Sequence, residues 1–316
     1  MEFYLFDFLK KIFKVHNWLT LIYVVLNVTI ITFFIRLFYT ENIYLAVLIG
    51  CLLYFISLVV ALSSIGEWLL RKECKCIPLE SKKKRKPTRY LKETTMYQRL
   101  EPLFNEVVDK ARGKKKYLPE KITLFYQESS TINAFALGRK TICVTEGIMT
   151  LSDEEIKGVL GHELGHISNH DTDFVLFVIV GNIIISTIIY VIKICAYLFM
   201  KLFQLMSYTI TFASQKMGVI INNIGVGIYN LAVRIFNFFI WLFTKLGMLL
   251  ISKIKRNQEF KADNFSKEIG YRDGLLSFFN KLLIIEKSTK RETNIFAILN
   301  SSHPKTKKRI ENLLKA

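Results

Sequence analysis

Two uncharged apolar runs constrain this chain more than anything else in it. Asn17–Ile35 and Ile43–Ile65 carry no Asp, Glu, Lys or Arg, and the intervening Tyr39-Thr40-Glu41-Asn42 holds no basic residue. Runs of about 18 or more such residues are long enough to cross the hydrocarbon of a bilayer as helices. Joined by so short a polar turn, they predict a membrane hairpin over 17–66 rather than the buried hairpin of a soluble protein. Residues 71–92 then bring ten Lys or Arg, including Lys82-Lys83-Lys84-Arg85-Lys86, and Lys10, Lys11 and Lys14 precede the first run. Basic residues beside spans mark the cytoplasmic face, so both ends of the hairpin are expected there. Residues 1–16 read as a cytoplasmic N-terminus, with no small-residue cleavage site of a signal peptide following them. Residues 67–96 read as a solvated basic linker able to touch anionic lipid.

Composition explains itself once these runs are seen. The 316 residues are 51% hydrophobic, yet the formal net charge is +18. Apolar and charged residues occupy separate stretches. The positive charge flanks apolar spans and does not interleave with a stacking platform, so nucleic acid is set aside as a partner and a lipid bilayer is expected. Five cysteines, Cys51, Cys74, Cys76, Cys143 and Cys195, form no even framework and fit a reducing compartment as plain thiols.

From about Tyr97 the pattern is that of a globular domain. Leu100, Leu103, Phe104, Val107 and Val108 recur at helical spacing. Lys121–Tyr126, Ile132–Gly138 and Thr141–Thr145 read as three strands, with Arg139-Lys140 as the turn between the last two. A helix starts after Ser152, where Ser152 and Glu155 spell a capping box and Asp153 and Glu154 suit the positive helix end. Within it lies Gly161-His162-Glu163-Leu164-Gly165-His166. Residues i and i+4 share a helix face, so His162 and His166 can reach one metal ion. Glu163 then stands beside a water on that metal, placed to take its proton.

Phe174–Ile192 is a third uncharged run, and no Asp or Glu occurs from Phe174 to Gln258. A fourth span is expected near Ala232–Ser252, with Arg234 and Lys245 snorkelling. Residues 193–231 extend the third helix, lie in the interface, or wrap the domain. The expected organisation is therefore a catalytic domain in two parts, 97–173 and 253–316, interrupted by a two-span insertion over 174–252.

A catalytic zinc site needs a third protein ligand and an open position. The candidates are His170, Glu259, Asp263 and His303. His170 stacks one turn beyond His166, and three rings along one helix face cannot converge on one ion. Glu259 arrives from a separate helix and is the better choice. Asp263, one turn on, can accept a hydrogen bond from the far nitrogen of a ligand histidine, His162 in particular.

The chain resembles the HtpX-like membrane zinc endopeptidases, a family that also contains the CaaX prenyl protease. The resemblance rests on His162–His166, on Asn133-Ala134-Phe135-Ala136-Leu137-Gly138 upstream, on Arg256 to Asp263 downstream and on His303-Pro304. It implies a mostly helical gluzincin-like catalytic domain with a small sheet and about four transmembrane helices, an α+β membrane protein. It also implies one zinc ion per chain held by His162, His166 and Glu259, with Glu163 as general base. Asn133, Ala134 and Phe135 would line the substrate cleft, and His303 would assist the substrate or the oxyanion. The implied substrates are membrane proteins or peptides, cut on the cytoplasmic side of a bacterial or archaeal membrane. Two other functions are kept in view: a narrower processing enzyme of the prenyl-protein type, and a non-catalytic membrane sensor with structural zinc. The intact Glu163 speaks against the sensor.

Overall fold

The computed structural model describes residues 18–79, 87–180, 182–212, 214–288 and 306–315. Helices α1 (Trp18–Phe38) and α2 (Ile43–Ala61) open it. The polar turn between them works as a helix stop and start, because Asn42 Oδ1 accepts from the N–H groups of Tyr44 and Leu45 at 3.0 and 3.2 Å. An N-cap of this kind satisfies donors that the first helical turn leaves orphaned. There follow α3 (Ser64–Glu73), β1 (Ile77–Pro78), α4 (Pro87–Gly113), β2 (Thr123–Gln127), β3 (Ala134–Leu137) and β4 (Thr141–Thr145). A 3-10 turn over Glu146–Thr150 leads to α5 (Asp153–Ser168), then α6 (Thr172–Ile179), α7 (Ile183–Thr211), α8 (Gln215–Glu268), α9 (Arg272–Ser288) and α10 (Thr306–Leu314).

The chain divides into two compact units. Among the described residues, the first takes Val59–Val180 and the chain from Ile251 onward, and the second takes the chain up to Leu58 together with 182–250. Helix α8 contributes to both.

The first unit is built on a four-stranded sheet in the order β1-β2-β4-β3. β2 and β4 run parallel, while β1 and β3 pair antiparallel at the two edges. β4 is buried along its whole length, as a central strand covered on both faces must be. Its Ile142 and Val144 join Leu100, Phe104 and Val107 of α4, Leu124 and Tyr126 of β2 and Ile156, Leu160 and Leu164 of α5 in one core. The capping box forms at the head of α5: Ser152 N–H donates to Glu155 Oε2 at 2.8 Å and Glu155 N–H to Ser152 Oγ at 3.4 Å. Arg99 of α4 fixes the approach to this helix by donating to the carbonyls of Met149 and Leu151 at 2.7 and 2.6 Å and to Asp153 at 3.0 Å. β1 is an addition to the three expected strands. Residues 67–96 also hold the end of α3 and the start of α4, while the Lys82–Lys86 run lies outside the described residues.

The second unit is a set of long apolar helices. Four stretches are long and apolar enough to cross a membrane: Thr20–Phe38, Ile43–Ala61, Thr172–Thr211 and Gln215–Phe239. A chain carrying them is an integral membrane protein. Leu21, Phe33, Leu48, Leu52, Tyr190, Leu198 and Leu202 are exposed on these helices, while Thr20, Asn27 and Ser57 are buried among them.

One detail differs from the expected layout. The start of the third run, Phe174–Val178 in α6, packs inside the first unit, with Leu176 and Phe177 buried. An uncharged run reads the same whether its apolar side chains meet protein or lipid. Among the described residues the fourth apolar window is Gln215–Phe239, which shares Ala232–Phe239 with the expected span; the rest of that span includes residues outside the described ones. Residues 193–231 are helical through most of their length, as the second half of α7 and the first half of α8.

Candidate metal centre

The centre is assembled by two helices that touch almost backbone to backbone. Gly161 and Gly165 lie along one face of α5, while a Cβ at Gly158 would meet Leu275 of α9 instead. A Cβ added at Gly165 would stand 2.8 Å from Ala262 Cα, and one at Gly161 would stand 2.9 Å from Ser266 Oγ. Only a face without side chains lets α8 come this near. The contact is fastened by Ser266 Oγ, which donates to the Gly158 carbonyl at 2.9 Å. It brings Glu259, fully buried on α8, beside the histidines of α5.

His162, His166 and Glu259 each offer one ligand atom, and these atoms all lie within 4.8 Å of one another. The two Nε2 atoms are 3.1 Å apart. Glu259 Oε2 is 3.5 Å from His162 Nε2, and Oε1 is 3.5 Å from His166 Nε2. Ring lone pairs and a carboxylate aimed at one point are a donor set that fits a divalent cation. His170, by contrast, sits past the end of α5 with φ 55 and packs its ring against Tyr117 at 5.2 Å. His303 lies outside the described residues.

Carboxylates orient both rings from behind. Asp263 Oδ1 is 2.9 Å from His162 Nδ1, the partnership expected from the i, i+4 spacing to Glu259. Asp171 Oδ2 stands 3.1 Å from His166 Nδ1. Such pairs fix the tautomer that leaves Nε2 free for a metal. Burial and the Arg309 charge both push the His162 pKa down, but the Asp263 and Glu259 carboxylates outweigh them and raise it to about 9.

Two residues escaped the sequence reading. One is Asp171, five positions past His166. The other is Arg309 of α10, buried behind the centre. Its guanidinium grips Asp263 by two bonds, Nη2 to Oδ1 at 2.6 Å and Nε to Oδ2 at 2.9 Å, and reaches Glu259 Oε2 at 3.2 Å. Its face lies 4.3 Å from the Phe279 ring centroid. Burial pushes Asp263 upward, but Arg309 and His162 outweigh it and hold the carboxyl below its ordinary range. The planar fork of an Arg suits two adjacent carboxylates in a way that Lys does not.

Glu163 faces the sheet. The Ala136 N–H on edge strand β3 donates to its Oε2 at 2.8 Å. Burial raises the Glu163 pKa, the two histidines draw it down, and Glu259 adds to the rise. Asn133, Ala134 and Phe135 lie on or beside this strand, half-buried.

Two converging histidines with a carboxylate at their side, a second buried carboxylate from a distant helix and an edge strand next to them are the features set beside known proteins. Residues 96–316 match the sequence profile of Peptidase family M48. The chain belongs to peptidase family M48. Among its M48 relatives, a Protease HtpX homolog of Methanopyrus kandleri is 45% identical over 75 residues, 21% of this chain and 23% of the relative. A Protease HtpX homolog of Bacillus pumilus is 24% identical over 206 residues, 59% of this chain and 60% of the relative. The matches thus span less than two thirds of these relatives. The crystal structure of S. mikatae Ste24p aligns over 90% of this chain and 61% of its own, at 18% identity and a TM-score of 0.42.

Proposed function

We propose that this chain is an integral-membrane, zinc-dependent endopeptidase that hydrolyses peptide bonds in membrane proteins, misfolded or damaged ones above all. The observation that carries the reading is the convergence of His162, His166 and Glu259 with Glu163 beside them. His162, His166 and Glu259 would hold the ion, leaving a position for water. Bound zinc supplies Lewis acidity and lowers the pKa of its water to about 7.

The residues of this chain do the rest. Glu163 takes the proton from the water and delivers it to the leaving amine. Its raised pKa suits a group that must hold a proton between two steps. Asp263 and Asp171 keep the rings in their ligating tautomers, and Arg309 holds Asp263 and Glu259 in place. β3, the edge strand of the sheet among the described residues, offers its backbone at Ala134 to an extended peptide. Asn133, Ala134 and Phe135 are assigned to the substrate cleft, and His303 to the substrate or oxyanion. The basic flanks of the spans support a site on the cytoplasmic side.

The test is metal analysis combined with casein degradation by detergent-purified protein. Wild type is expected to carry one zinc and to lose activity in a chelator. Glu163→Gln is expected to keep zinc and lose proteolysis. Full cleavage by that variant refutes the base assignment. A farnesylated C-terminal peptide, supplied in parallel, separates general proteolysis from prenyl-protein processing.

A further inference from the structure

The turn that ends the edge strand is held by buried charge. Arg139, directly after β3, is 7% exposed. Its guanidinium meets Asp173 of α6 by two bonds, Nε to Oδ1 at 2.9 Å and Nη2 to Oδ2 at 3.2 Å. Its backbone N–H donates to Glu67 of α3. Gly138, in the left-handed region at φ +60, gives its carbonyl to the Thr172 hydroxyl, and a Cβ there would run into the Glu67 side chain. Arg71 of α3 donates to Thr141 Oγ1 at 3.0 Å, which grips the other side of the same turn.

These contacts close a ring around the centre. Asp171, Thr172 and Asp173 are consecutive. The first holds ligand His166, the second holds Gly138, and the third holds Arg139. β3 then returns to the centre through the Ala136 N–H on Glu163. The buried pair is thus the far support of a strand whose near end rests on the general base. Ion pairs buried this deeply add little net stability over apolar replacements of like volume. What a bidentate Arg–carboxylate pair does supply is a fixed distance and angle.

We infer that Arg139 and Asp173, with Glu67, are positioning residues that set the edge strand β3 at the height where an extended peptide can pair with it beside Glu163. The inference rests on the reading of β3 as the wall of the substrate cleft. Loss of the fork lets the strand tilt, which weakens peptide binding and leaves the metal ligands in place. The two bonds of the fork join Arg139 to Asp173 and involve none of His162, Glu163, His166 or Glu259.

The experiment uses the full chain in detergent, with Arg139→Lys, Asp173→Asn and the apolar pair Arg139→Met/Asp173→Leu. The substrate is an internally quenched peptide of eight residues. For the single variants we expect KM to rise roughly tenfold, with kcat within about threefold of wild type and zinc still at one per chain. The apolar pair should recover the wild-type Tm and still show the raised KM. Hydrogen exchange supplies a readout free of activity: the amides of Ala134–Leu137 should exchange faster in each variant. Unchanged exchange there, or a wild-type KM in variants that keep zinc, overturns the inference. Faster exchange in a protein whose wild type cleaves nothing leaves the strand support standing and removes the substrate reading instead.

Discussion

The two units of the molecule have opposite interiors. In the site-bearing unit, the packed core is largely Leu, Ile, Val and Phe, and buried charges there are paired: Arg139 with Asp173, Arg309 with Asp263, and Glu155 with the exposed Lys281. In the helical unit, the exposed faces are apolar and the buried faces carry Thr20, Asn27, Tyr54 and Ser57. Asn27 Nδ2 donates to the Tyr23 carbonyl four residues back, and Asn182 Nδ2 donates to the Tyr23 hydroxyl. Water drives apolar groups inward in the first case. Lipid removes that drive in the second, and small or polar residues take the helix contacts. The difference teaches that burial means different chemistry in the two units, and substitutions should reveal it.

The largest effect is expected at the centre, where the site-bearing unit concentrates its charge. Glu163→Gln should lower kcat by roughly a hundredfold to ten-thousandfold at unchanged zinc content, read by peptide cleavage and metal analysis. Glu259→Ala should lose the metal itself, and stoichiometric zinc in that protein would move the third ligand elsewhere. Next is Arg309→Met, which leaves Asp263 and Glu259 buried without their counter-charge. Removal of one partner from such a group costs on the order of 3–5 kcal/mol, measurable by denaturation of the full chain in detergent. Arg309→Lys should recover part of it, since the charge returns without the fork.

A milder effect concerns acid. Burial pushes Glu155 up, but Lys281, Ser277 and Ser152 outweigh it and bring its pKa to about 2. A carboxyl depressed by folding stabilises above its unfolded pKa and loses that contribution as pH falls through the folded value. Stability on the order of 2–3 kcal/mol should therefore disappear between about pH 4.5 and pH 2. Lys281→Met should flatten that part of the profile. The smallest effect is the one that tests the comparison most directly. Thr20→Val in the helical unit removes a buried hydroxyl with no partner among the described residues. It should change stability by less than about 1 kcal/mol or raise it. The converse change in the other unit, Val144→Thr, should cost more because it buries a new hydroxyl in a packed core. Equal outcomes would erase the contrast.

Much of this was legible in the sequence wherever the signal is local. The capping box at Ser152, the spacing of His162 and His166, and the hairpin of α1 and α2 each need only a few neighbouring residues. Glu259 and Asp263 were readable because two acids one turn apart end a long acid-free stretch. Arg309 was not, since a basic residue among Lys307, Lys308 and Glu311 looks like any solvated helix face until α10 packs against Phe279. β1 was hidden for a similar reason: two residues, Ile77 and Pro78, give no alternation to detect. The limits of the later spans were obscured because apolar windows continue through α6, α7 and α8 whether the neighbour is core or lipid.

The seam of Gly161 and Gly165 has a genetic corollary. Much of the approach between the two helices is set by hydrogen atoms, at positions where every other amino acid places carbon. In a saturation library, Gly165 should tolerate nothing else, because Ala262 presents main chain that cannot step aside. Gly161, facing the rotatable ends of Ser266 and Ile269, should still admit alanine.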